Sequence, residues 1–475
     1  MAPSTQDSFF GLLADAQRHL DEGFSHLPPN PAPPLGEDAA AILQQVAEKL
    51  RDNYPYAHPL YAGQMLKPPH PIARAAYTLA MSINPNNHAL DGGRASSAME
   101  IEAVANLAKM FAWPEHLGHL TSGGTFANLE ALWVAGQLAR TQEGKPKAIA
   151  ASDQAHYTHS RISSVLGLPF IAIPSDTTGR MDLHALERLL AANQIATVVV
   201  TLGTTATGAV DPLDKILQLQ HIHNVRIHLD AAYGGYFTLA SNLSPETRAA
   251  YEAIPYADSI VIDPHKHGLQ PYGCGCILFR DTAVGRLYKH DSPYTYFSSK
   301  DLHLGEISLE CSRAGASAVA LWATQQLLPY TPGGRFAHDL ESSHKAALEL
   351  HARLAADPRF LTPATPPQLD IVFWTVNAPT PEASSALAQA IFDETARRDL
   401  HLALAKLPMS LFPQPSWEKF HSVKRDSPVT CLRSVLMKPE HLLWLDQIWQ
   451  RLDSATHQVL TVNPPIEPPR ITAAP

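Results

Sequence analysis

Asp258-Ser259-Ile260-Val261-Ile262-Asp263-Pro264-His265-Lys266-His267-Gly268 is the stretch on which the fold turns. Its β-rich apolar run, Ser259 to Ile262, stops at an Asp-Pro pair, and a lysine follows at once. Gly268, Pro271, Gly273 and Gly275 punctuate the return before a second apolar run over residues 277–279. Lys266 therefore belongs to a strand-to-turn junction, not to a long solvated face. A lysine in such a turn is ordinarily a surface residue. One held by a β-rich core can instead be desolvated, which favours the neutral, nucleophilic amine.

Upstream, Val225-Arg226-Ile227-His228-Leu229-Asp230-Ala231-Ala232-Tyr233-Gly234-Gly235 repeats the form. An apolar strand again ends in an acid followed by small residues. Such an aspartate can be a helix N-cap. It can also be the carboxylate that pairs with a protonated pyridine nitrogen, since a lysine Schiff base and an Asp partner occur together in pyridoxal phosphate enzymes.

Further stretches decide between these readings. Thr121-Ser122-Gly123-Gly124-Thr125-Phe126-Ala127-Asn128, Ser152-Asp153-Gln154-Ala155-His156 and Thr201-Leu202-Gly203-Thr204-Thr205 precede the two above, in one order. Together, over about residues 55 to 450, the chain resembles the group II pyridoxal-phosphate-dependent amino acid decarboxylases. That family includes the aromatic amino acid, glutamate, histidine and diaminobutyrate decarboxylases. The resemblance implies pyridoxal 5'-phosphate as cofactor and the type I, aspartate-aminotransferase-like transferase fold. It also implies a homodimer with active sites at the interface.

Composition agrees with an ordinary globular protein. The 475 residues are 45% hydrophobic and 17% charged, enough for a large core and one or two smaller domains. The net charge of −9 and the absence of a Lys/Arg-rich run argue against nucleic acid. The 24 histidines are scattered, with no His-Glu-x-x-His spacing, so no metal site is expected. His221 and His223 alternate like strand residues. Cys274, Cys276, Cys311 and Cys431 read as reduced core thiols. There is no signal-peptide pattern at the N-terminus and no run of about 18 apolar residues, so the expectation is a cytoplasmic protein without a membrane span.

Along the chain, residues 1–90 read as an N-terminal helical arm, with amphipathic patterns over 9–20 and 38–50 around a proline-rich spacer. Residues 91–335 read as the large cofactor domain. Strands are expected near 148–151, 170–173, 197–201, 226–229, 259–262 and 275–279, with helices such as 126–138, 183–192 and 214–223 between them. That alternation means an α/β, mostly parallel sheet, whose sites collect at the C-terminal ends of strands. The helix over 99–111 carries Glu100 and Glu102 in its first turn. Residues 336–460 read as a smaller α/β domain with strands near 371–376 and 429–436, and a last helix over 439–452. Residues 461–475 read as a disordered tail.

The resemblance also distributes roles. Lys266 holds the cofactor as a Schiff base, Asp230 keeps the ring nitrogen protonated and His156 stacks on the ring. Gly124 and Thr125 bind phosphate at a helix start, where free amides and the dipole favour an anion. Thr204 and Ala232 contact the ring, and Asp263 and His265 the phosphate end, although a carboxylate beside phosphate is repulsive unless protonated or bridged. Tyr294 in the Asp291-Ser292-Pro293-Tyr294 loop is the general acid for Cα, with Tyr288 and Tyr296 as rivals. Tyr61 and Gln64 are candidates for the substrate side. Arg94, Arg161 and Arg313 are candidates for a substrate carboxylate. The chain departs from the family at Phe126 (often glutamate), at His267 (often tryptophan) and over Tyr157–Arg161. These departures leave the substrate open. The reading is decarboxylation of an L-amino acid to its amine. Its alternatives are an aldehyde-forming decarboxylase, an aminotransferase or another lyase, and, from another class, a non-catalytic scaffold.

Overall fold

The computed structural model describes residues 8–29, 35–88, 90–140, 147–289, 307–413 and 427–462. Seven strands make the larger sheet: β1 (Leu117–Thr121), β2 (Ala148–Ser152), β3 (Phe170–Ile173), β4 (Ile195–Thr201), β5 (Arg226–Asp230), β6 (Ser259–Ile262) and β7 (Gly275–Phe279). Their order is β1-β7-β6-β5-β4-β2-β3. β3, β2, β4, β5 and β6 run parallel, and β7 lies antiparallel between β6 and β1. Helices cover both faces of such a sheet, so its central strands read as near-continuous apolar runs. β2, β6 and β7 are buried along their whole length.

β1 was not anticipated from sequence. Leu-Gly-His-Leu-Thr has a weak strand pattern, but it pairs with β7, and a Cβ on Gly118 would sit 2.6 Å from the Ile277 carbonyl oxygen. Tertiary pairing thus overrides a low local preference. Helix Arg94–Met110 starts five residues earlier than the pattern suggests. Glu100 is accordingly not a first-turn acid but a buried partner of Arg313, at 2.6 Å. His221 and His223 stand in the last turn of helix Leu213–His223, not on a strand.

The smaller sheet comprises β8 (Phe360–Leu361), β9 (Ile371–Val376), β10 (Ala403–Pro408) and β11 (Pro428–Val435), in the order β10-β11-β9-β8 and antiparallel throughout. Only β9 and β11 are legible in sequence. β10 is Ala-Leu-Ala-Lys-Leu-Pro, poor strand formers ending in a proline, which suits an edge position. Helices Arg335–Ala355, Pro381–Ala396 and His441–Val462 bury Leu350, Ile391 and Leu452 against this sheet. The last helix runs ten residues past the expected Leu452.

Helices Phe9–Glu22 and Ala39–Leu50 bury none of their residues. Cys274, Cys276 and Cys431 are buried and free, but Cys311 is exposed, contrary to the expectation of a core thiol.

Candidate active site

The parallel strands deliver their chemistry to one end of the sheet, as their topology requires. Thr121 closes β1, Asp230 closes β5, and Asp263 follows β6. A cleft of ≈ 340 Å³ opens there, and its wall includes Gly124, His156, Asp230, Asp263 and Lys266.

Lys266 stands in the turn after β6 with its Nζ 3.1 Å from Asp263 Oδ2. His265 Nε2 lies 3.5 Å from the same oxygen, while its Nδ1 hydrogen is donated to the Cys274 carbonyl at 2.8 Å. Burial holds the His265 imidazole below the usual histidine value, so Lys266 is the basic group nearest the Asp263 carboxylate. The turn is tightly closed. A Cβ on Gly268 would come 2.4 Å from the Tyr236 hydroxyl, and Leu269 takes a left-handed φ of 63°.

Asp230 is buried below the cleft floor. Its Oδ2 accepts from His159 Nε2 at 2.8 Å and from Asn128 Nδ2 at 3.5 Å, and its Oδ1 accepts the Ala232 amide at 3.2 Å. Burial alone would raise this carboxyl. The hydrogen bond and charge of His159, the Lys266 ammonium and the Ala232 amide reverse that and hold it well below the usual carboxylate range. A protonated ring nitrogen beside Asp230 would depress this carboxyl as well. The protein already supplies the depression through His159, a residue that sequence reasoning passed over. The signal was there: a second histidine three residues after His156, within the stretch that departs from the family.

His156 lines the cleft, its Nδ1 2.6 Å from the Thr158 hydroxyl and its ring 4.4 Å from that of Tyr157. Burial holds it below the usual histidine value, although Asp230 pulls the other way. At the opposite wall, Ser122 to Thr125 lead into helix Gly124–Arg140, whose first turn borders the cleft. The Ser122 amide is donated to Glu310 at 3.0 Å.

These residues fit pyridoxal phosphate. Two buried atoms on the cleft wall, Asp263 Oδ1 and Thr201 Oγ1, have no hydrogen-bond partner among the described residues. A Cβ on Gly124 would lie 2.7 Å from Asp263 Oδ2, so only glycine lets this turn approach. The group has an amine, a carboxylate and a helix-start anion cradle at three edges of one space.

Not every sequence candidate reaches the cleft. Thr204 is fully buried, with its hydroxyl 2.7 Å from Thr207 and accepting the Ala209 amide. Its neighbours Gly203 and Thr205 line the wall instead. Ala232 does line it. Tyr61 packs into a Tyr54–Tyr56–His401 cluster, and Gln64 accepts from Arg433 at 3.3 Å; neither borders the cleft. Arg313 is spent on Glu100 and the Leu120 carbonyl, and Arg161 lies over the Tyr157 ring. Tyr288 is buried against Trp133 and Phe279, and burial with the adjacent Glu130 carboxylate raises it well above the usual phenol value. Tyr294 and Tyr296 lie outside the described residues. Among the described residues, no group of three or more metal-ligating side chains occurs.

The family described as the pyridoxal-dependent decarboxylase conserved domain matches residues 24–376. An L-tyrosine decarboxylase of Enterococcus faecium is 27% identical, over 75% of this chain and 76% of its own length. An L-2,4-diaminobutyrate decarboxylase of Rhizobium meliloti is 29% identical, over 75% of this chain and 73% of its own. The solved structure of Oryza sativa TDC with PLP and tryptamine superposes with a TM-score of 0.76 at 18% identity, covering 96% of this chain and 99% of that one. At that identity the likeness is one of fold.

Proposed function

The chain belongs to the pyridoxal-dependent decarboxylases, and from that premise we propose how its own residues divide the work. The reaction is the pyridoxal-phosphate-dependent decarboxylation of an amino acid to its amine. When bound, the cofactor supplies an electron sink for the pair left on Cα as carbon dioxide departs. Lys266 holds the cofactor, and Asp230 keeps the ring nitrogen protonated. His156 covers one ring face, while Ser122 to Thr125 take the phosphate. Asp263 orients the Lys266 amine. Tyr294 returns the proton at Cα. The convergence of Lys266, Asp230, His156 and the Gly123–Gly124 turn on one cleft is the observation that carries this reading.

For the substrate we propose an aromatic L-amino acid. Phe126, 40% exposed, borders the cleft at a position where a carboxylate would favour a basic substrate, and a tyrosine decarboxylase is among the relatives. The diaminobutyrate relative makes a cationic side chain the second reading.

The working unit we propose is a homodimer in the cytoplasm. Helices Phe9–Glu22 and Ala39–Leu50 present Phe10, Ile42, Leu43 and Leu50 to solvent, a span of apolar surface that a second copy would cover. Free buried thiols suit a reducing compartment, and among the described residues no helix is long and apolar enough to cross a membrane.

The test is incubation of cofactor-loaded protein with a panel of L-amino acids, including tyrosine and 2,4-diaminobutyrate, scored by mass spectrometry. An amine lighter than its parent by carbon dioxide is expected, from tyrosine before diaminobutyrate. Aldehyde or keto acid products would overturn the amine-forming reading. Turnover by Lys266→Ala equal to that of the unaltered protein would remove Lys266 from its role.

A further inference from the structure

Asp230 stands at the end of a chain of donors whose direction can be worked out from its two ends. Its carboxylate only accepts, so Asn128 must turn its amide N–H towards Oδ2 and its carbonyl away. That carbonyl meets His228 Nε2 at 2.9 Å, so His228 carries its hydrogen on Nε2. Burial pushes His228 down to about 3, leaving the ring neutral and Nδ1 an acceptor. Ser259 Oγ lies 2.9 Å from that Nδ1 and donates to it. Every hydrogen thus points the same way, from Ser259 through His228 and Asn128 to Asp230. All four side chains are buried.

His159 completes the arrangement from the other side. It is fully buried in the first turn of helix Thr158–Val165, and its Nε2 hydrogen goes to Asp230 Oδ2 at 2.8 Å. Its Nδ1 has no hydrogen-bond partner among the described residues, so the ring is held for this one contact. Oδ2 is therefore taken by two donors. Among the described residues Oδ1 accepts the Ala232 amide alone, and it keeps capacity for another donor.

We propose that His159, backed by the Ser259–His228–Asn128 donor chain, is a positioning residue that aims the Asp230 carboxylate at the cofactor's ring nitrogen and thereby sets how strongly that nitrogen holds its proton. This rests on the reading of Asp230 given above. The physical reason is preorganisation: a carboxylate already clamped on one oxygen has little orientational freedom left to lose when the pyridinium arrives. Donors that polarise one another along a buried chain reinforce the same orientation.

The experiment compares two cofactors on folded apoprotein: pyridoxal phosphate, and its carbocyclic analogue in which the ring nitrogen is replaced by C–H. Dissociation constants are measured for the unaltered protein, His159→Met, which keeps bulk without a donor, and His159→Gln, which keeps a donor. The unaltered protein is expected to prefer pyridoxal phosphate. In His159→Met that preference should shrink by roughly tenfold, with affinity for the analogue unchanged, and in His159→Gln most of it should return. Equal losses for both cofactors, or no loss, would overturn the proposal. If the unaltered protein bound both equally, the Asp230 pairing itself would be wrong, which separates the two failures. Should His159→Met not fold, Ser259→Ala at the far end of the chain reads the same coupling. A smaller loss confined to pyridoxal phosphate supports the proposal, and an equal loss for both overturns it.

Discussion

His267 and Asp370 face each other in full burial, ring nitrogen to carboxylate oxygen at 3.3 Å. One is the residue after Lys266, and the other immediately precedes β9 of the smaller sheet. The second Asp370 oxygen accepts the Tyr233 hydroxyl at 2.5 Å, and Tyr233 lines the cleft. The turn that carries the lysine is thereby tied to the smaller sheet through polar groups that water does not reach. The sequence marks His267 as a departure from the family's usual tryptophan, and Asp370 is the carboxylate set beside it, at ion-pair distance and without a hydrogen bond.

Asp370→Ala should therefore destabilise the protein by about 3 kcal/mol, because it leaves the buried Tyr233 hydroxyl without its acceptor and the buried His267 ring without a carboxylate beside it. Asp370→Asn should cost less, since an amide still accepts from Tyr233. Urea unfolding measures both. Equal stability of the two variants would mean that the pair contributes through packing alone.

Gly124→Ala should fold and yet bind pyridoxal phosphate at least about tenfold more weakly, because its methyl meets the Asp263 carboxylate at 2.7 Å. Fluorescence titration of the apoprotein reads the change. Unaltered affinity would place the phosphate elsewhere.

Stability should fall on acidification well before the carboxylates titrate. An unfolded histidine titrates near 6.5. Burial pushes His228 and His441 down to about 3 in the native protein. Between those values the unfolded chain binds protons that the native chain does not. Their contribution is complete above the unfolded value and is lost as pH falls towards 3, by up to about 1.4 kcal/mol per unit for each. Asp230, depressed in the native state, adds its loss only below the unfolded carboxylate value. Urea midpoints between pH 7.5 and 5 measure the slope. His441→Asn, which keeps an acceptor for the Lys438 amide, should flatten it by roughly one proton.

Tyr288→Phe should lower stability by about 1 kcal/mol and leave the amine as product, because that phenol is packed into the core beside Glu130. Tyr294→Phe should keep cofactor affinity and divert product from amine to aldehyde. Mass spectrometry of the two product mixtures distinguishes them, and an unchanged amine yield in Tyr294→Phe would hand the role to Tyr296.

Ile42→Asp combined with Leu43→Asp should convert the proposed dimer to monomers on sedimentation, since both side chains are more than half exposed on a helix that buries nothing. A dimer that survives the double change would mean that this helix stays solvated.

What the sequence by itself determined were features whose cause is local. Alternating apolar strands and helices dictate a mostly parallel α/β sheet, and acids or a lysine at strand ends mark where Asp230, Asp263, Lys266 and the Gly123–Gly124 turn gather, while their proposed roles come from the resemblance. Those positions depend on strand ends and helix starts, which leave their signature within a few residues. Partnership across the fold has no such signature. His159 meets Asp230 across 71 residues of sequence, and His228 meets Asn128 across 100. The turning of Thr204 away from the cleft follows from its bonds to Thr207 and Ala209. β1 and β10 exist because neighbouring strands pair with them, not because their residues prefer to be extended. Only the tertiary structure could decide these, because burial changes which hydrogen bonds must be made and three-dimensional packing chooses the partner that makes them.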